Sequence, residues 1–226
     1  YGTPQGATNQ YYAWKNAVIH HQSGTVLFAG APGTAVFNIH SNVYDPQYPF
    51  YNVILDDSSS SGILTIGTSM WIENDLTVKA NRTAATATND YIKALGNVLI
   101  TGTASKIDTN HASAIDQEFG SLNIETDGTY DATSGTTTLN WNNSLYSVIY
   151  RNAGTFVHNS GTVILNPNTS TLFGGGGGTG GLWNVIATKD GGSPTYRVYN
   201  TPIIENDLTV SGTLTYNNNL GGGQNH

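Results

Sequence analysis

The acidic side chains are the first residues in this chain whose types and spacing could do chemistry. Asp56-Asp57, Glu73/Asp75, Asp116/Glu118 and Glu205/Asp207 form close pairs. Paired carboxylates supply the acid and the base, or the nucleophile, of glycoside hydrolysis. Carboxylates at i and i+2 on a strand share one face. Two of these pairs, however, lie in one repeated heptapeptide: Ile72-Glu73-Asn74-Asp75-Leu76-Thr77-Val78 returns as Ile204-Glu205-Asn206-Asp207-Leu208-Thr209-Val210. An acidic pair copied in this way reads as part of a chain corner, with Asn74 and Asn206 taking the turn, and no catalysis is expected of it. The same oxygens would suit a hard cation. Asp56 and Asp57, followed by four serines, offer a calcium-type ligand set. The glycine-rich nonapeptide of calcium-binding β-rolls is missing, so the expected state is a solvated loop with no cofactor.

Other chemistry is thinner. His20 and His21 are adjacent and point to opposite sides of any strand, and His40, His111 and His158 lie apart, so no metal set is expected. The run Gly174–Gly178 lacks the Gly-Lys-Ser/Thr of a phosphate cradle and reads as a turned loop. Asn81, Asn142 and Asn168 stand in Asn-x-Ser/Thr sequons and are glycan acceptors where the host has the machinery. Tyr44, Tyr48, Phe50 and Tyr51, with Pro46 and Pro49 among them, form a candidate exposed aromatic surface. Such rings stack on sugars or bury at protein interfaces; filling the interior is their other use.

Composition narrows the classes. Charged residues are only 10% while hydrophobic residues are 38%, so the chain can bury a core and lacks the charge excess of disorder. The net charge is −7 with eight Lys or Arg scattered singly, which gives no basic stripe for nucleic acid. No transmembrane run occurs, so membrane insertion is not expected. With no cysteine, disulfides and thiolate chemistry are excluded. A start at Tyr1 is what a processed, exported chain would show, although an excised fragment would begin the same way.

The elements that must hold these residues are strands. Val26/Phe28, Phe37/Ile39, Leu64/Ile66, Leu76/Val78, Val98/Ile100, Leu122/Ile124, Val163/Leu165 and Leu208/Val210 are period-2 apolar pairs. Only Asn89–Leu95 tempts a helical reading. Gly-Thr occurs eleven times, a glycine for a sharp corner and a β-branched residue to open the next strand. The heptapeptide belongs to a wider match at an offset of 132 residues, in which Asn52-Val53-Ile54 returns as Asn184-Val185-Ile186. A single all-β domain over 1–226 is expected, with internal repeats at about 12–80 and 141–212 and a spacer 81–140 of like texture. The offset corresponds to five or six coils of about 20–25 residues. The expected fold is therefore a right-handed parallel β-solenoid. An antiparallel β-sandwich or jelly roll with strand donation is the alternative, disfavoured because Asp127-Gly128 and Asp190-Gly191 are the only hairpin dipeptides of the Asn-Gly and Asp-Gly type.

The segments Ser121-Leu122-Asn123-Ile124, Asn159-Ser160-Gly161-Thr162-Val163-Ile164-Leu165-Asn166, Leu182-Trp183-Asn184-Val185-Ile186 and Glu205-Asn206-Asp207-Leu208-Thr209-Val210-Ser211-Gly212-Thr213-Leu214-Thr215 carry a resemblance. They look like the repeats of parallel β-helix surface proteins of bacteria, archaea and phages, of the adhesin, fibre and tailspike type. The resemblance implies an extracellular, cell-surface location. Within that group, the short length read here, with no anchor or translocator segment in it, leads to the expectation of a subunit that must assemble. No amphipathic cap is evident at either end, and uncapped solenoid ends stack head to tail. The function expected is a self-assembling structural subunit of a surface fibre, its partner another copy of itself. A glycan- or receptor-binding adhesin or phage tail-fibre module is the alternative, and a carbohydrate-active β-helix enzyme the remote third reading.

Overall fold

The computed structural model describes residues 9–13, 22–29, 33–39, 50–56, 62–67, 69–140, 148–169, 171–188 and 195–216. Every regular element among them is a strand. The chain opens with β1 (Asn9–Ala13), β2 (Thr25–Ala29), β3 (Gly33–Ile39), β4 (Asn52–Asp56) and β5 (Gly62–Ile66). Then come β6 (Met70–Ile72), β7 (Leu76–Val78), β8 (Arg82–Thr86), β9 (Ile92–Ile100) and β10 (Lys106–Asp108). The centre holds β11 (Gln117–Ile124), β12 (Thr129–Asp131), β13 (Thr136–Leu139), β14 (Val148–Asn152) and β15 (Thr155–Val157). The last turns are β16 (Thr162–Leu165), β17 (Thr171–Gly175), β18 (Leu182–Ala187), β19 (Thr195–Tyr199), β20 (Ile204–Val210) and β21 (Thr213–Tyr216). The segment Asn89–Leu95 is a turn running into β9 and not a helix. Its Ile92 and Ala94 are buried against β6, which fixes the strand period.

All nineteen strand pairings described are parallel. Parallel neighbours need a long crossover, and here the rest of each turn supplies it. This is the parallel β-solenoid expected from the sequence. Three stacks of strands form its faces. The first runs from Phe50 through β6, the start of β9, the start of β11, β13, β16 and β18 to β20. The second runs through β2, β4, β7, the ends of β9 and β11, β14, β17, β19 and β21. The third comprises β1, β3, β5, β8, β10, β12 and β15, extended by a bridge from Thr155 to Thr179. β9 and β11 bend from the first face into the second, β11 with a register shift between Phe119 and Ser121.

Alternation along each strand puts one set of side chains into the bore. On the first face Ile72, Ala94, Phe119, Leu139, Leu165 and Ala187 lie one above another, and all are buried. On the third, Leu64, Ala84, Ile107, Tyr130 and Phe156 do the same. Rings continue the column: Tyr130 meets Phe119 edge-on at 5.8 Å and Phe156 at 5.4 Å, and Tyr150 lies 6.0 Å from Phe156. Apolar burial of this extent drives the fold. The bore also holds a polar contact, since the Tyr130 hydroxyl meets Thr109 Oγ1 at 3.3 Å and Thr137 Oγ1 at 2.9 Å.

The repeat shows what it encodes. Phe50 pairs with Ile72, and at the offset of 132 residues Leu182 pairs with Ile204, so the two copies have the same step of 22 and lie six steps apart. In both, asparagines stack along the solenoid axis. Asn74 Nδ2 donates to Asn52 Oδ1 at 2.8 Å, and Asn206 Nδ2 donates to Asn184 Oδ1 at 2.8 Å. Asn52 Nδ2 in turn donates to Thr25 Oγ1 at 3.2 Å. Yet Val53 and Leu76 belong to the second face while Val185 and Leu208 belong to the first. The heptapeptide is a corner at Glu73–Asp75 between β6 and β7 in the first copy, but in the second it runs as the single strand β20 on the first face, with a register shift between Ile204 and Asp207, so Asn206 lies in a strand and does not take the turn expected of it.

The glycine run is tighter than a loop. Gly174 and Gly175 end β17, and at Gly180 (φ +80°) a Cβ would sit 1.9 Å from the Phe156 carbonyl oxygen. Consecutive turns touch there, backbone on backbone.

Two predictions follow from this packing. Asn52→Ala leaves the Asn74 amide and the Asp75 N–H, now 3.3 Å from Asn52 Oδ1, without their acceptor. A loss of about 1–2 kcal/mol in urea unfolding is expected, with a much smaller loss for Asn206→Ala at an exposed site. Burial pushes the Tyr130 hydroxyl up to about 12. Its contribution is therefore full below about pH 10, the ordinary tyrosine value, and is lost as pH rises through 12. Chemical denaturation across that window should show a stability loss on the order of 3 kcal/mol that Tyr130→Phe largely removes.

Candidate assembly interface

Five of the eight carboxylates proposed from the sequence, Asp56, Asp75, Asp116, Glu118 and Glu205, are brought into structural contacts. Asp56 takes Lys79 at 2.7 Å. Glu118 takes Lys93 at 2.7 Å and accepts from Asn140 Nδ2 at 2.9 Å, while Asp116 accepts the Thr136 N–H at 2.8 Å. Asp75 accepts the Asn97 N–H at 2.8 Å, and Glu205 accepts the Gly181 N–H at 3.1 Å. These contacts join one turn to the next, which is the work expected of corner residues. Lys106 bridges Asp108 and Asp131 at 2.8 Å each. Burial lowers its affinity for a proton, but the two carboxylates outweigh that and hold the ammonium charged above the ordinary lysine value. Burial likewise raises Asp90, against the pull of its hydrogen bond from Ser69 and of His111.

No group of three or more His, Cys, Asp or Glu able to hold a metal occurs among the described residues. Asp57 lies outside them, as do Tyr44, Tyr48 and Asn142. Phe50 belongs to the core at 6% exposure, which takes it out of the exposed aromatic surface expected from the sequence. Its period partner Ile72 explains why: an apolar residue just before the corner points into the bore. Tyr51 is half-buried, Asn81 is half-buried in a left-handed turn (φ +62°), and Asn168 is exposed.

One cluster escaped the sequence reading. The His158 ring stacks on Trp183 at 5.2 Å and 20°, its Nδ1 accepts the Ser160 N–H at 2.8 Å, and its Nε2 faces Glu205 at 3.2 Å. These residues come from three successive turns, 25 and 22 positions apart. The turn length is the only signal in the sequence that could have assembled them.

Among the described residues, the final turn has unmet contacts. An apolar cavity of about 290 Å³ opens there, lined by Leu165, Val185, Tyr196, Ile204, Leu208 and Leu214. One turn earlier, Val185 and Tyr196 are sealed at 1% and 0% exposure, whereas Leu208 and Leu214 are each 44% exposed. The opposite end shows the same pattern, since Val26 and Phe28 of β2 are only partly buried against the core. β20 and β2 each pair on one side alone among the described residues. Comparison of the chain with protein-family models, with curated proteins and with solved structures finds no match.

Proposed function

We propose that this protein is a structural subunit that assembles end to end into an extracellular fibre. The observation that carries the reading is the last described turn, where the apolar Leu208 and Leu214, beside the buried Val185 and Tyr196, are half-exposed among the described residues. A strand edge that pairs on one side only among the described residues, beside an apolar opening, is a candidate association surface. The two ends of a solenoid are different surfaces, so their contact is heterologous and grows into a filament when its rotation does not close. The low charge content, the absence of cysteine and the Thr- and Asn-rich ladders fit a chain that is stable outside the cell without cross-links. Engagement of the candidate carboxylates in contacts between turns favours a structural role over glycan cleavage.

Negative-stain electron microscopy and sedimentation velocity test the proposal. The wild-type protein should form fibres with sedimentation that rises with concentration. Leu208→Lys, a change at a side chain already 44% exposed, should leave the circular dichroism unchanged and abolish the fibres. Discrete wild-type particles at every concentration, or fibres unaffected by Leu208→Lys, would overturn it.

A further inference from the structure

The outward side chains of the second face form an ordered column. Leu27 lies beside Ile54, Ile54 beside Thr77, and Thr77 beside Leu99. Asn123, Arg151 and Gly174 continue it, one on each following turn. Their strand neighbours Val53, Leu55, Val98 and Ile100 fill the bore, so this column faces away from it. A second column runs two residues further along each strand. There Lys79 bonds Asp56 on the turn before at 2.7 Å, and the Thr101 hydroxyl donates to Glu125 on the turn after. Arg151 has no ion pair among the described residues. The two columns carry two acids and two bases, Asp56, Glu125, Lys79 and Arg151, on a chain of net charge −7. This neutral face therefore does not repel a copy of itself.

The order of the charges decides how a copy fits. Counted from Leu99, Thr77 and Asn123 lie one turn away on opposite sides, and Ile54 and Arg151 lie two. Lys79 and Glu125 are likewise one turn away on opposite sides, and Asp56 shares the strand of Ile54. A two-fold axis through Leu99, directed along the strands, lays this face on its own copy with the solenoid axes antiparallel. Leu99 then meets Leu99, and Lys79 meets the partner's Glu125. Arg151 packs its stem on the partner's Ile54 and brings its guanidinium to the partner's Asp56. Leu27 lies over Gly174, which brings no side chain of its own. Both charged pairs are of opposite sign, and each occurs twice. A parallel arrangement would set every turn against itself, with Arg151 on Arg151 and Lys79 on Lys79, and like charges so placed are repelled.

We infer that the outer surface of the second face is a lateral docking surface for a second copy of this chain, antiparallel and two-fold symmetric about Leu99. A contact of this kind is isologous and closes as a dimer. It is independent of the end-to-end contact proposed above, and where both form they give paired fibres without polarity. From Leu27 to Gly174 the column makes six steps. At about 4.8 Å per step the patch is about 29 Å long, and five-residue strands make it about 16 Å wide. That is below the standard size of a stable interface, so the dimer is a weak one.

Exchange of charges tests the contact. Sedimentation velocity up to millimolar concentration, on protein carrying Leu208→Lys to keep the ends apart, should show a monomer–dimer equilibrium. Arg151→Glu and Asp56→Lys each place like charges at both contacts and should weaken the dimer by about tenfold. Mixing the two variants, or combining them in one chain, restores opposite charges and should restore the dimer, which a loss of folding would not allow. The chain has no cysteine of its own, so a short bis-maleimide can read the axis. It should link Leu99→Cys to itself and leave Leu27→Cys, three turns from the axis, unlinked. A monomer at every concentration, or a mixture that associates no better than either variant, would overturn the inference. Self-linking of Leu27→Cys would overturn it in favour of the parallel arrangement. The fibre is scored separately, on protein with Leu208 intact.

Discussion

Each turn of this molecule depends on the turn beside it. A single turn of about 22 residues has three short strands, none of which can satisfy its backbone groups or close its own apolar surface alone. The parallel ladder solves both problems together. The N–H groups of one turn donate to carbonyls of the previous one, as Thr101 does to Val78 and Glu125 does to Ile100, and the side chains between them close the bore. Stability in such a structure is a sum over neighbouring turns, with no central core that all elements share. It follows that, among the described residues, the first and last turns have neighbours on one side only, whatever the sequence of the middle.

Polar side chains follow the same axis. Asn74 reaches Asn52, Asn166 reaches Asn140 at 2.9 Å, and Ser121 reaches Asn97 at 2.8 Å. Charges do so too, with Lys106 bound to Asp131 and Lys93 to Glu118 across adjacent turns. Lys93 also lies 4.7 Å over the Trp71 ring from the turn before. Pairs at this degree of exposure contribute little each. Their value lies in register: a one-residue slip of any strand would place its apolar set outside the bore and break the polar column as well. Of the acidic residues that first suggested catalysis, Asp56, Asp75, Asp116, Glu118 and Glu205 link adjacent turns.

Much of the fold was legible because its determinants are local. The period-2 pairs Leu76/Val78, Val98/Ile100 and Leu122/Ile124 are buried on strands, and the Gly-Thr corners open strands at Thr25, Thr129, Thr136, Thr155, Thr162 and Thr213. Less could be read where the decisive partner lies one turn away. Phe50 looks like one ring in an aromatic loop until its pairing with Ile72 puts it in the core. Gly174 and Gly175 look like loop residues until β14 on one side and β19 on the other bring them into a sheet. The stack of His158, Trp183 and Glu205 was invisible for the same reason. The open end left a faint mark in the sequence, the heptapeptide, but its exposure in one copy and burial in the other needed the topology.

The use of one heptapeptide on two faces bears on how such a chain can change its length. Were the repeat tied to a fixed position around the axis, any duplication would have to insert a whole number of turns or scramble every face that follows. Here Ile72–Val78 turns a corner from the first face into the second, whereas Ile204–Val210 runs as one strand on the first, and the strands around each adapt. A copying event that is out of phase with the turn can therefore still yield a continuous ladder. Strict periodicity of the repeat is not required for the faces to close.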